Sequence, residues 1–193
     1  MPELLVDESI VALCTEAATL RATGQRNVLV NSAAADARGG EPARAFTIAH
    51  GGSVQWTVFN SPALVESLGR ICGLATFPAG GGSYSYYEET GDFLSLHRDV
   101  EVCDLTVITC LKESGARPGD GLLLVYPQHA TGPLSAARDA GREAATEVHI
   151  GCWESVALLG GVVPHEVTAM QPGQERIVSV MCYRILVNGV PFS

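Results

Sequence analysis

Residues 176–187 read RIVSVMCYRILV, an apolar, β-branched run opened by an arginine. Valine and isoleucine at this density favour a strand. With a period of two, Arg176, Val178, Val180 and Cys182 share one face, and Ile177, Ser179, Met181 and Tyr183 share the other. Five further short runs lie upstream: SYSYYEE (83–89), DLTVITCLKE (104–113), GLLLVYP (121–127), EVHIGC (147–152) and ESVALLG (154–160). Gly, Pro, Asp and Asn separate them, and helix-length periodicity is missing from most of this half. Short strands punctuated by turn residues predict an antiparallel sandwich or barrel rather than alternating βαβ units. The exception is LSAARDAGREAA (134–145), read as a short helix or a loop between strands.

The N-terminal part has a different texture. Asp7 or Ser9 can cap a helix through residues 10–23, where Ile10, Leu13, Cys14, Ala17 and Leu20 recur at helical spacing and Gly24 ends it. Residues 32–44 are small, polar and Gly/Pro-containing and read as a loop. Ser61-Pro62 opens a second helix over 63–74, with serine at the N-cap and proline at the first helical position. PAGGGS (78–83) reads as a break. The bottom-up expectation is a mainly β fold with N-terminal helices packed on a sandwich, in one domain spanning 1–193.

Composition bounds the function. A chain of 193 residues, 47% apolar and 17% charged, can build a substantial core and is not disordered over its length. Twelve Lys and Arg against 21 Asp and Glu leave a net charge of −9, and Lys112 is the only lysine. Binders of nucleic acid or membrane surfaces that work by neutralising phosphates carry the opposite balance, so neither is expected as a partner. The six cysteines (Cys14, Cys72, Cys103, Cys110, Cys152, Cys182) lie far apart without a C-x-x-C pair and are read as free, mostly buried hydrophobes. MPELLVDESI has no basic region before an apolar one, and no apolar run approaches the roughly 18 residues of a membrane span. A reduced, cytoplasmic protein is the expectation.

The sharpest local chemistry is His97-Arg98-Asp99. If 94–99 is extended, His97 and Asp99 project from one face and make two-thirds of a 2-His-1-carboxylate metal site. A helix cap, a surface pair or a simple His–Asp hydrogen bond would also account for the tripeptide. His165, in GGVVPHEV, follows a strand-like run and a Gly-Gly turn. Eleven residues later Arg176 opens its strand. A buried strand seldom begins with an inward arginine unless an anion pairs with it, and the planar guanidinium suits a two-pronged grip on a carboxylate. The alternative is an arginine at the strand's wet end.

Taken in order, a tyrosine, Gly91-Asp92-Phe93, His97-x-Asp99, His165-Glu166-Val167, and Gly173 with Arg176 and Tyr183 form a pattern. It resembles the non-haem iron, 2-oxoglutarate-dependent oxygenases, in particular their prolyl-hydroxylase-like branch. The matched stretch runs from about 84 to 187, just over half the chain. The resemblance implies a double-stranded β-helix, the jelly-roll or cupin-like barrel, with residues 84–190 as its core and 1–80 as helical support. It implies that His97, Asp99 and His165 bind Fe(II) and are the catalytic set, leaving open positions for 2-oxoglutarate and O2. Arg176 would hold the distal carboxylate of 2-oxoglutarate, with a hydroxyl from Tyr87 or Tyr86 helping. One extra residue between the tyrosine and Gly91 leaves that choice open. Lys112, fifteen residues after His97, competes with Arg176, since some relatives use a lysine from that region. Arg184 shares the parity of Arg176 but belongs near the strand's far end. His50, His129 and His149 match no motif position and read as structural or surface residues, with His129 in a loop that could reach a substrate.

The activity implied is hydroxylation of an unactivated C–H bond, with 2-oxoglutarate converted to succinate and CO2. Desaturation or ring formation draws on the same chemistry. Relatives that halogenate carry a small residue where this chain has Asp99. A compact domain without an obvious accessory region for docking a protein partner makes a small metabolite or an amino-acid-derived biosynthetic intermediate the expected substrate. A prolyl-type peptidyl hydroxylase is the alternative within the family. A non-catalytic jelly-roll module that binds metal or ligand is the alternative outside it. The oligomeric state is not legible in the sequence.

Overall fold

The computed structural model describes residues 4–30, 38, 40–115 and 123–191. Helix α1 (Asp7–Leu20) buries Ile10, Leu13 and Ala17 and carries Asp7 and Glu8 in its first turn, where acidic groups complement the helix dipole. Its N-cap is Val6, one residue before the earliest expected cap. Strands β1 (Gln25–Leu29) and β2 (Arg44–His50) follow, then a seven-residue helix α2 (Ser53–Phe59) that the sequence did not announce. Helix α3 (Pro62–Cys72) has Ser61 at the N-cap and proline in its first turn, as expected, but ends two residues before the expected Leu74 because Gly73 takes the left-handed region (φ 68°). Of the expected 32–44 loop, residues 32–37 and 39 lie outside the described residues, and Arg44 already belongs to β2.

Strand β3 (Ala75–Tyr87) runs straight through PAGGGS, so the expected break is a correction. Gly80 and Gly81 take positive φ, and the pairing with the later strand shifts register between Met181 and Tyr183. The glycines therefore build an irregularity inside one long strand rather than ending it. Beyond it come β4 (Phe93–His97), β5 (Leu105–Ser114), β6 (Leu123–Val125), α4 (Leu134–Ala140), β7 (Thr146–Val148), β8 (Ser155–Leu158), β9 (His165–Val167), β10 (Glu175–Val187) and β11 (Val190–Pro191).

Among the described residues all strand pairs are antiparallel, in the order β7-β6-β9-β4-β2-β3-β10-β5-β8, with β1 on β2 and β11 on β10. Strand β2 pairs with β3 through Thr47–His50 and with β4 through Arg44 and Ala45, which joins the two walls of a curled sheet. The helices cover the outer face of the β3-β10-β5 wall. There Leu13, Leu68, Tyr84, Tyr86, Val107 and Tyr183 form one core cluster. A second cluster, with Cys110, Leu123, Val125, Ile150 and Leu158, links the two walls on the inside. This is the mainly β, jelly-roll architecture with N-terminal helices that was expected, except that residues 1–80 also supply β1, β2 and part of β3.

The cysteine reading needs one correction. Cys103 and Cys182 form a disulfide, 79 residues apart in sequence. Spacing arguments search for local pairs, and only the sheet brings these two together. Cys14, Cys72, Cys110 and Cys152 are free. No helix among the described residues is long and apolar enough to cross a membrane.

Candidate active site

His97 ends β4 and His165 begins β9, and the antiparallel register sets them directly opposite each other. Their rings lie 4.2 Å apart, centroid to centroid. Each Nδ1 sits 2.9 Å from a backbone carbonyl two residues earlier, Ser95 for His97 and Val163 for His165. A carbonyl can only accept, so Nδ1 carries the proton in both rings and both Nε2 atoms present lone pairs. Asp99 lies two residues past the end of β4 and still turns the same way. Its Oδ1 is 3.6 Å from the Nε2 of each histidine. The three candidate ligand atoms all fall within 4.8 Å of one another.

The Asp99 carboxylate and its backbone are both fixed in place. Its other oxygen, Oδ2, accepts a hydrogen bond from the Thr106 hydroxyl. The Asp99 amide donates to the Gly160 carbonyl at 2.8 Å. A Cβ at Gly160 would overlap the carboxylate itself, so the glycine there leaves the room that Asp99 occupies. Arg98, between His97 and Asp99, donates to the carbonyls of Val162, His129 and Gly132 at 2.7–2.8 Å. It ties the His97–Asp99 segment to the loop leading into His165.

Electrostatics suit a cation here. Burial, followed by the neighbouring His165, lowers the His97 pKa and keeps its ring neutral. For Asp99, burial opposes ionisation, but the neighbouring His165 and His97 rings outweigh it and hold the carboxyl well below the usual carboxylate range. Two neutral imidazoles and one carboxylate on one side of an open cavity fit a six-coordinate Fe(II) with exchangeable positions.

That cavity, about 480 Å³, runs between the two walls. Phe46, Ile48, Leu94, Ile108, Val178 and Val180 give it apolar sides, and Arg176 and Tyr87 also line it. Arg176 is buried; its Nη2 donates to the Ile150 carbonyl at 2.8 Å. Arg176, Val178, Val180 and Cys182 all line the cavity, as their shared parity predicts. Tyr87 pairs with Arg176 across β3 and β10. Burial raises its pKa, opposed by Arg176, so the phenol stays protonated and able to donate.

Two expected candidates leave the site. Tyr86 points to the outer face of β3, where its hydroxyl donates to the Ala17 carbonyl at 2.8 Å, because adjacent strand residues face opposite ways. Lys112 is half-exposed and its Nζ lies 2.5 Å from Glu175. Arg184 reaches Asp104 at 3.1 Å, at the far end of β10. His129 supplies only its carbonyl to Arg98, His50 is exposed, and His149 pairs with Glu113. Asp92 folds the β3–β4 turn by accepting from the amides of Glu88 and Glu89 at 3.0 Å and pairing with Arg26. Thr106, which bonds Asp99, was missed. Thr106 was findable, because it shares inward parity with Ile108 on β5.

No family model and no curated protein sequence matches this chain. Solved structures do. The non-heme α-ketoglutarate-dependent epimerase SnoN from nogalamycin biosynthesis matches with a TM-score of 0.64 at 12% identity, over 94% of this chain and 75% of its own. HygX from Streptomyces hygroscopicus, solved with nickel and 2-oxoglutarate bound, matches with a TM-score of 0.64 at 13% identity, over 95% and 80%. A Pseudomonas putida prolyl-4-hydroxylase gives 0.58 at 18% identity, over 95% and 91%. The chain has the fold of the Fe(II)/2-oxoglutarate oxygenases.

Proposed function

We propose that this protein is an Fe(II)- and 2-oxoglutarate-dependent dioxygenase that hydroxylates an unactivated C–H bond of a small metabolite. One observation carries the reading: His97, Asp99 and His165 converge on a cavity that Arg176 and Tyr87 also line. A module that only bound metal would have no use for a buried arginine beside that metal site.

The roles divide by chemistry. His97, Asp99 and His165 hold the metal, which when bound supplies O2 activation coupled to decarboxylation of the keto acid. Arg176 grips the distal carboxylate of 2-oxoglutarate, and the Tyr87 hydroxyl donates to the cosubstrate. The apolar walls formed by Phe46, Ile48, Leu94, Val178 and Val180 exclude water and hold an apolar part of the substrate near the metal. SnoN and HygX support a small-molecule substrate, whereas the prolyl-4-hydroxylase keeps a peptidyl one as the second member of the class.

The test is succinate formation from 2-oxoglutarate by iron-loaded protein in air, with Asp99→Ala as the control. Succinate from wild type alone supports the reading. Absence of succinate, with metal still bound, would return the non-catalytic jelly roll to the front.

A further inference from the structure

Next to the cavity's arginine stands a group that the proposed chemistry does not use. On β5, Thr106 and Ile108 line the cavity, and strict alternation would carry the inward face on through Cys110 to Lys112. The ladder with β10 breaks that alternation: Val178 pairs with Cys110 and Ile177 with Lys112, so Leu111 is passed over. A one-residue bulge exchanges the faces of everything beyond it. Lys112 turns outward to Glu175, and Glu113 comes to stand opposite Arg176.

Glu113 is well placed to act on that arginine. Its Oε1 lies 3.8 Å from Arg176 Nη1, with the two side chains only 14% and 5% exposed. Its Oε2 lies 3.2 Å from Nε2 of the half-exposed His149. The guanidinium meant for an incoming carboxylate thus already has an acidic side chain beside it. Water screens poorly at this depth, so two carboxylates sharing one cation repel more strongly than they would at the surface.

We propose that Glu113 determines specificity for the 2-oxo acid, competing with its distal carboxylate for Arg176 and so narrowing the preference for 2-oxoglutarate over 2-oxo acids with uncharged tails. The inference rests on the oxygenase reading and adds a chain-specific residue to it. Repulsion acts only on an acid with a second carboxylate, which separates an electrostatic role from a structural one.

The experiment is calorimetric titration of anaerobic, Fe(II)-loaded protein with 2-oxoglutarate and with 2-oxobutanoate, which has the same chelating end and no distal carboxylate. Glu113→Gln tightens 2-oxoglutarate binding about tenfold, equivalent to about 1.4 kcal/mol, and leaves 2-oxobutanoate unchanged. Glu113→Asp withdraws the charge by one methylene and gives a smaller gain; should the glutamine variant fail to fold, its gain or lack of gain decides. Unchanged or weaker 2-oxoglutarate binding, or equal gains for both acids, overturns the assignment of Glu113 alone. Wild-type protein that binds neither acid overturns the oxygenase reading and this inference with it.

Discussion

The Thr106 hydroxyl donates to the Asp99 oxygen that faces away from the two histidines. That bond leaves Oδ1 as the single oxygen turned toward both Nε2 atoms and would orient the carboxylate toward a metal held there. Groups that orient a metal ligand are commonly worth about 10–100-fold in metal affinity or activity. Thr106→Val, which keeps the shape and removes the donor, lowers Fe(II) affinity within about that range. Thr106→Ser keeps the donor and restores most of it. Competitive metal titration checks both, and a valine variant with wild-type affinity would remove Thr106 from the site.

Asp99→Ala removes the only anionic ligand and leaves two imidazoles to hold a dication. Most bound iron is lost after anaerobic reconstitution, a larger effect than that of Thr106→Val. His165→Ala likewise abolishes substrate-independent 2-oxoglutarate decarboxylation, whereas His129→Ala leaves it intact. A dead His129 variant would mean that the third ligand is misassigned.

The cosubstrate anchor separates by the same logic. Hydrogen bonds to charged groups contribute roughly 1.5–3 kcal/mol each, so Arg176→Ala weakens 2-oxoglutarate binding by at least about tenfold. Lysine supplies charge without the planar fork, so Arg176→Lys falls between. Iron loading survives both changes. Lys112→Ala, at the outward position paired with Glu175, leaves the affinity unchanged; a large loss there would transfer the anchor to Lys112.

Most of the candidate metal site was legible because its signal is local: His97 and Asp99 are two residues apart, and His165 and Arg176 open adjacent runs. The cavity face of β10 followed from alternation alone. What stayed hidden depended on register. Alternation along β5 points to Lys112, and only the bulge at Leu111 puts Glu113 in its place. The Cys103–Cys182 link needs the barrel to close before it can be seen. Helix α2 is too short to show a period, and its supporting acceptor, Glu16, comes from another helix.

The disulfide fastens the segment just after Asp99 to β10, closing a long loop. Such links contribute about 2–4 kcal/mol, chiefly by restricting the unfolded chain. For a chain of this size that is a fall in Tm of roughly 5–15 °C on removal. The double change Cys103→Ala with Cys182→Ala produces this fall, and dithiothreitol lowers the Tm of wild type but not of the double variant. Equal sensitivity of both proteins to the reductant would place the redox effect elsewhere.

Glu16 of α1 gives stability a defined acid limit. Its carboxylate accepts from the amides of Val54, Gln55 and Gly52 at 2.7–3.2 Å, which would otherwise be orphan donors at the start of α2, and from the Tyr84 hydroxyl at 2.7 Å. Burial pushes its pKa up, but the Gln55 amide, the Tyr84 hydroxyl and the Val54 and Gly52 amides together pull it below its ordinary value of 4.5. A carboxyl whose folded pKa is lowered binds its proton more readily in the unfolded chain. Its contribution is therefore complete above the unfolded value and is lost as pH falls through the folded one. Glu16→Gln keeps the size of the side chain and removes the charge, and at pH 7 it destabilises by about 1–2 kcal/mol, the scale of a lost helix cap. Below pH 4.5 the gap between wild type and variant narrows and closes. Urea denaturation of both proteins from pH 7 down to pH 3 measures it, and a gap that stayed constant with pH would show that the carboxylate's charge is not what holds α2 in place.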